Sequence, residues 1–173
     1  LLGLDAAHFD TPAWNPLGTF VQPGDTVVLK PNFVRAFRDT RPGHDDCLVT
    51  HGAVIRPVVD YVYIALQGKG RIVIADASHN DADFGAVCSI VQTRAIQDFY
   101  LENAGFNLEV IDLRPEEAIK VDGVIVGHRP LPGDPAGYAR VNLGARSMFA
   151  PINDLCHLLY GSEYDTRELH SHQ

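Results

Sequence analysis

Lysine is scarce in this chain: only Lys30, Lys69 and Lys120 occur in 173 residues. Lys and Arg together number 14 against 22 Asp and Glu, a formal charge of −8 with neutral His. Residues 1–86 hold 7 basic and 10 acidic residues, and residues 87–173 hold 7 and 12, so no basic patch forms. A general nucleic-acid binder needs such a footprint to neutralise phosphates, and that class is excluded. Cysteine is also sparse. Cys47, Cys88 and Cys156 are odd in number and far apart, with no CxxC pair. This excludes a disulfide framework and a complete zinc or iron–sulfur site within the chain. It points to free thiols in a reducing cytoplasm. No apolar run approaches the ~20 residues of a membrane span. The opening Leu1-Leu2-Gly3-Leu4-Asp5 lacks the basic and apolar regions of a signal peptide.

Several glycine signatures are missing too. There is no GxGxxG after the first strand-like run, no GxxxxGK[ST], and no GxSxG. Common dinucleotide, P-loop and nucleophile-elbow sites therefore lack their turn chemistry. Cys88 sits in the apolar Ala86-Val87-Cys88-Ser89-Ile90, a poor setting for an activated thiolate.

What is present reads as a globular α/β chain, with 46% hydrophobic and 21% charged residues. Residues 1–25 form a turn-rich lead-in, with Trp14, Phe20 and Val21 expected to pack beneath it. Thr26–Lys30 is a β-branched apolar run and reads as a buried parallel strand, stopped by Pro31. Residues 33–49 form a long loop carrying Arg35, Arg38, Arg41, His44, Asp45 and Asp46. Thr50 is the candidate N-cap of a helix through Val54, Val58, Tyr61, Val62 and Ala65; Pro57 puts the start of its regular part near Arg56, with the proline in the first turn, and Gly68-Lys69-Gly70 ends it. Arg71–Asp76 is a second buried strand. A loop over 77–90, a helix over Thr93–Ala104 ended by Gly105, and a third strand over Asn107–Leu113 follow.

Thus 26–113 predicts a parallel βαβαβ core of Rossmann-like, three-layer type. Residues 114–173 predict an antiparallel excursion on that sheet. Its strands are Lys120–Val126 and Tyr138–Leu143, followed by a helix near Ile152–Leu159 and a solvated tail ending in His170 and His172. The whole reads as a single domain.

In parallel α/β sheets, ligands bind beyond the carboxyl ends of the strands. The three predicted strands end in Lys30-Pro31-Asn32, Asp76-Ala77-Ser78-His79 and Asp112. Lys30 would hold a carboxylate or phosphate, with Asn32 and Arg35 donating hydrogen bonds. The run Asp76-x-x-His79-x-Asp81-x-Asp83 mixes oxygen ligands with imidazole. Asp76, His79 and Asp81 are therefore candidate ligands for a divalent metal, and His79 and Lys30 are candidate catalytic groups. An acidic loop capping the next helix is the competing reading of that run. His51 could face the same edge or simply begin the helix.

Several of these elements resemble, in order and spacing, the bacterial and archaeal family known as domain of unknown function 362. They are Gly24-Asp-Thr-Val-Val-Leu-Lys30-Pro-Asn32, the Thr50-His51 helix start, Val58–Tyr63, Gly70-Arg-Ile-Val-Ile-Ala-Asp76 and Tyr100-x-x-x-x-Gly105. The resemblance runs from about residue 15 to residue 173. It implies a longer, two-part fold, since members continue past a stretch like Tyr160–Asp165 into a second segment with a Lys-Leu-Lys-Thr-His-type motif. The chain is accordingly expected to be a fragment, with a missing C-terminal half or a second copy as partner. Some members carry iron–sulfur segments; none is expected within this chain. The functional expectation is the ligand-binding part of an enzyme acting on an anionic small molecule. A non-catalytic oligomerisation module and a redox accessory domain are the alternatives.

Overall fold

The computed structural model describes residues 4–36, 46–142, 146 and 168–172. It is an α/β protein. The chain divides into two compact units, Leu1–Gly133 and Asp134–Gln173.

In the first unit, β1 (Thr26–Leu29), β2 (Arg71–Asp76) and β3 (Glu109–Asp112) form a parallel sheet in the order β1-β2-β3. Val27 pairs with Ile72 and Leu29 with Ile74, and Ile74 pairs with Val110. With a period of two, these side chains share one face. Between β1 and β2 runs α1 (Gly52–Leu66); between β2 and β3 run α2 (Phe84–Val91) and α3 (Thr93–Ala104). Right-handed crossovers in a sequential strand order place α1 and α3 on the same face. Their contacts agree: the Tyr63 and Tyr100 rings lie 5.2 Å apart, and the Arg56 guanidinium sits 3.7 Å from the Phe99 ring centroid.

The core follows from helical and strand periodicity. Ile55, Val59, Val62 and Leu66 recur on one side of α1 and are buried against Ile72, Ile74, Ile96 and Leu108. Each such aliphatic side chain contributes about 1.5–3 kcal/mol by leaving water. The lead-in joins this unit through Trp14, whose ring meets Tyr61 edge-on at 5.3 Å. Val21 packs against the core as expected, but Phe20 is exposed.

Strand β2 and helix α3 occupy the predicted residues, and Gly105 ends α3. Helix α1 is regular from Gly52, ahead of the expected regular start near Arg56, while its cap falls one residue later than expected. His51, not Thr50, is its N-cap, because His51 Nδ1 accepts from Ala53 N at 3.1 Å. Thr50 Oγ1 instead accepts from Asn32 N at 2.8 Å. Pro57 consequently lies inside the helix rather than in its first turn. The predicted 77–90 loop also gives way to helix at α2, where Asp83 accepts from Ala86 N and supplies the cap.

The turn into β2 depends on Gly70. Its φ is +109°, and a Cβ there would meet Asp25 O at 2.3 Å. Only glycine tolerates both constraints. Gly70 thereby lets Arg71 N reach Asp25 O at 2.9 Å and starts the β1–β2 ladder.

The expected excursion differs in kind. Strands β4 (Glu116–Val121) and β5 (Val124–Pro130) form their own two-stranded antiparallel sheet, not an extension of the parallel one. The predicted single strand Lys120–Val126 is the tip of this hairpin. Asp122 and Gly123 have φ of 50° and 80°, the backbone of a two-residue hairpin turn with both central residues left-handed. In the second unit, β6 (Tyr138–Asn142) pairs antiparallel with β7 (Glu168–His172), so that stretch of the expected tail is a strand. The predicted helix near Ile152–Leu159, Cys156, and the loop residues Arg38, Arg41, His44 and Asp45 lie outside the described residues.

Candidate functional site at the carboxyl edge of the sheet

Asp76 is the last residue of β2, and its side chain points back across the sheet edge. Its Oδ1 lies 2.7 Å from Lys30 Nζ and accepts from Ala77 N at 2.9 Å. Its Oδ2 accepts from Phe33 N at 2.7 Å. One buried carboxylate thus fixes the end of β1 and the turn after β2. The exposures are unequal: Lys30 is 67% exposed and Asp76 only 7%. The carboxylate anchors the ammonium, and the ammonium faces outward.

The segment after β1 is tied down from both sides. Phe33 and Val49 form an antiparallel bridge, Val34 N donates to Leu48 O, and His79 N donates to Val34 O at 2.9 Å. Beside it lies an open cavity of about 430 Å³, whose wall includes Lys30, Asn32, Thr50, Val28 and Val54. The Asn32 side chain is exposed there and reaches Leu48 O at 3.5 Å.

A second hub is Asp81, whose side chain is 4% exposed. It accepts from Arg35 at 2.6 Å and from His79 Nδ1 and Lys120. Burial alone would raise this carboxyl. The hydrogen bonds from Lys120, His79 and Arg35 outweigh that cost and hold it well below the usual carboxylate range. Lys120 lies on β4, so the hairpin is clasped to the loop after β2. Ala118 N strengthens the clasp by donating to Asn80 O at 2.7 Å.

The third strand contributes an Asp112–Arg114 pair. Arg114 is buried and forks onto both Asp112 oxygens at 2.7–3.1 Å. Its other nitrogen donates to the carbonyls of His79 and Ala82, both at 2.9 Å. Bonding to Asp112 raises the guanidinium further, so it stays charged despite burial. Arg114 therefore shapes the 79–82 turn from within.

The sequence-predicted residues converge only in part. Lys30 and Asp76 meet, and so do Arg35, His79 and Asp81. The single run from Asp76 to Asp83 divides its duties. Asp76 holds Lys30, Asp81 gathers three cations or donors, and Asp83 caps α2. Among the described residues, no group of three or more His, Cys, Asp or Glu side chains is placed to hold a metal ion. His51 is committed to its helix cap. Burial pushes the Cys88 thiol up, as its apolar surroundings suggested.

Sequence reasoning missed Arg114 and Lys120. The only local signal for Arg114 was Asp112-x-Arg114 at a strand end. Lys120 carried none, because its partner is 39 residues away.

Among the described residues, no helix is long and apolar enough to cross a membrane. Comparison with curated proteins and with solved structures gave no match. Residues 27–134 match the family described as domain of unknown function, DUF362. That match begins in β1, ends just past the β4–β5 hairpin and takes in every group of the carboxyl-edge network, and the chain belongs to the DUF362 family.

Proposed function

We propose that this chain is the ligand-binding part of an enzyme acting on an anionic small molecule. The observation that carries this reading is the exposed Lys30 ammonium, held by a buried Asp76 on the wall of a cavity at the carboxyl end of a parallel sheet. A cation fixed by a buried carboxylate needs no reordering to meet a carboxylate or phosphate oxygen. Asn32 offers an amide beside it, and Arg35 supplies further positive potential from the neighbouring strap. His79 is exposed and has Nδ1 against Asp81. That contact orients the ring and leaves Nε2 for proton exchange.

The test is calorimetric titration with inorganic phosphate and with malonate. Wild type should bind one of them, and Lys30→Ala and Asp76→Ala should each weaken binding about tenfold or more, as expected for loss of a charge-assisted contact. Unchanged binding in both variants would overturn the assignment.

One observation favours a second reading, self-association. Among the described strands β1 has a neighbour on one side only, and Val28 on it is 58% exposed. An open strand edge pairs with another strand, here that of a second copy. Light scattering across a concentration series separates the two. A monomer that binds the anion supports the first reading. A dimer that Val28→Lys dissociates supports the second.

A further inference from the structure

The cavity beside Lys30 differs from one end to the other. Its polar residues, Lys30, Asn32 and Thr50, gather where β1 stops. Asn32 N donates to Thr50 Oγ1 and Thr50 N to Asn32 O, both at 2.8 Å, so the start of α1 is pinned to this end. The rest of the wall includes Leu29, Val54, Ile55 and Val58, all apolar. Val54 and Val58 follow Thr50 by four and eight residues. Residues four apart stack on one face of a helix, about 6 Å apart along its axis. The wall thus turns from polar to apolar as α1 leads away from the pinned end.

The apolar part is not closed over. Val54 is 59% exposed and Val58 42%, whereas Ile55 beneath them is buried. A bound apolar group would cover this stripe and release its water. The charge lies at the other end. Among the described residues of the wall, Lys30 is the only charged one. Its ammonium has three donors. One meets Asp76 Oδ1 at 2.7 Å and one Pro31 O at 3.1 Å, and Pro31 also lines the cavity.

We infer that the ligand is an amphiphilic anion, with a carboxylate or phosphate head at Lys30, Asn32 and Thr50 and an apolar tail along Val54 and Val58. This rests on the anion-site reading above and names its ligand class. Charge complementarity sets the head, since a lone cation on an otherwise uncharged wall attracts a negative group. The volume sets the tail. The cavity holds about 430 Å³, enough for a small organic molecule. Bare phosphate or malonate would meet its polar end alone. A sugar-like body would set hydroxyls against valines with nothing to bond, which is unfavourable.

The experiment is calorimetric titration of the full chain with butanoate, hexanoate and octanoate, and with neutral hexan-1-ol. In wild type, Kd should fall about tenfold from butanoate to hexanoate, as two methylenes leave water. Lys30→Ala should weaken butanoate and hexanoate alike, by about tenfold. The double variant Val54→Thr, Val58→Thr keeps the side-chain shape at two exposed positions and wets the stripe. There the gain from butanoate to hexanoate should shrink to about threefold or less. Phosphate or malonate binding together with equal Kd values across the carboxylates leaves the anion site standing and overturns this proposal. An undiminished gain in the double variant places the tail elsewhere and overturns it. Hexan-1-ol binding as tightly as hexanoate removes the role of the head and overturns it. A dimer that excludes hexanoate means that a second copy fills the groove, and that too overturns it. If wild type binds no anion at all, the anion-site reading fails and this proposal falls with it.

Discussion

Lys30 and Asp76 form an ion pair at 2.7 Å in which one partner is largely in solvent and the other is almost wholly enclosed. The two residues should therefore respond differently to substitution. Asp76→Ala removes the acceptor of Phe33 N and Ala77 N as well as the counter-charge of Lys30. It should cost about 2–4 kcal/mol. Lys30→Ala leaves both backbone donors on the carboxylate and should cost about 1 kcal/mol or less, given the screening of an exposed cation. Urea unfolding of both variants checks this. Equal losses would show that the ammonium, not the backbone pair, satisfies the carboxylate.

Asp81 gives the protein an acid-sensitive clasp. Its folded pKa lies below the value near 3.9 of an unfolded aspartate. The stability it contributes is complete above that unfolded value and is lost as pH falls below it. Asp81→Asn should cost about 2 kcal/mol at pH 7 through weakened charge-assisted bonds. The gap between wild type and Asp81→Asn should be the same at pH 7 and pH 5, and smaller at pH 3. Denaturant midpoints at the three values test the sign, and a gap that widens in acid would refute it.

Arg114→Lys keeps the charge but loses the planar fork that spans Asp112 and the 79–82 carbonyls. A lysine ammonium is a point donor and cannot hold both. The variant should lose about 2–3 kcal/mol. Amide exchange should quicken over residues 79–82 while Ile72 and Ile74 stay protected. Uniform acceleration throughout the sheet would mean that Arg114 supports the whole fold rather than this turn.

The parts of this fold that were legible in the sequence are those whose cause is local or periodic. Within Arg71–Asp76, the four residues Ile72–Ala75 are an unbroken apolar run just after Gly70, and a strand buried on both faces reads that way. Thr93–Ala104 has an apolar stripe at Ile96 and Tyr100 and a glycine after its last turn. Helix α2 was missed because eight mostly apolar residues are too few to show a period. The Asp122-Gly123 turn was overlooked because the valines and isoleucines on both sides look like one strand. At the candidate site, the strand ends pointed to Lys30 and Asp76, which the structure brings together at one edge of the sheet. Which carboxylate would face which cation was not legible, since Arg35 meets Asp81 rather than Asp76 through contacts set by the packed sheet.

The site's bonds span long stretches of chain. Phe33 reaches Asp76 across 43 residues, Arg35 reaches Asp81 across 46, and Lys120 returns to Asp81 across 39. The first two close when β1 and β2 lie side by side, and the third waits for the hairpin to meet the loop after β2. Contacts this distant carry a loop-closure cost before they give anything back, which slows their formation. The carboxyl edge is therefore a late product of folding, assembled only after the chain has committed to its parallel sheet.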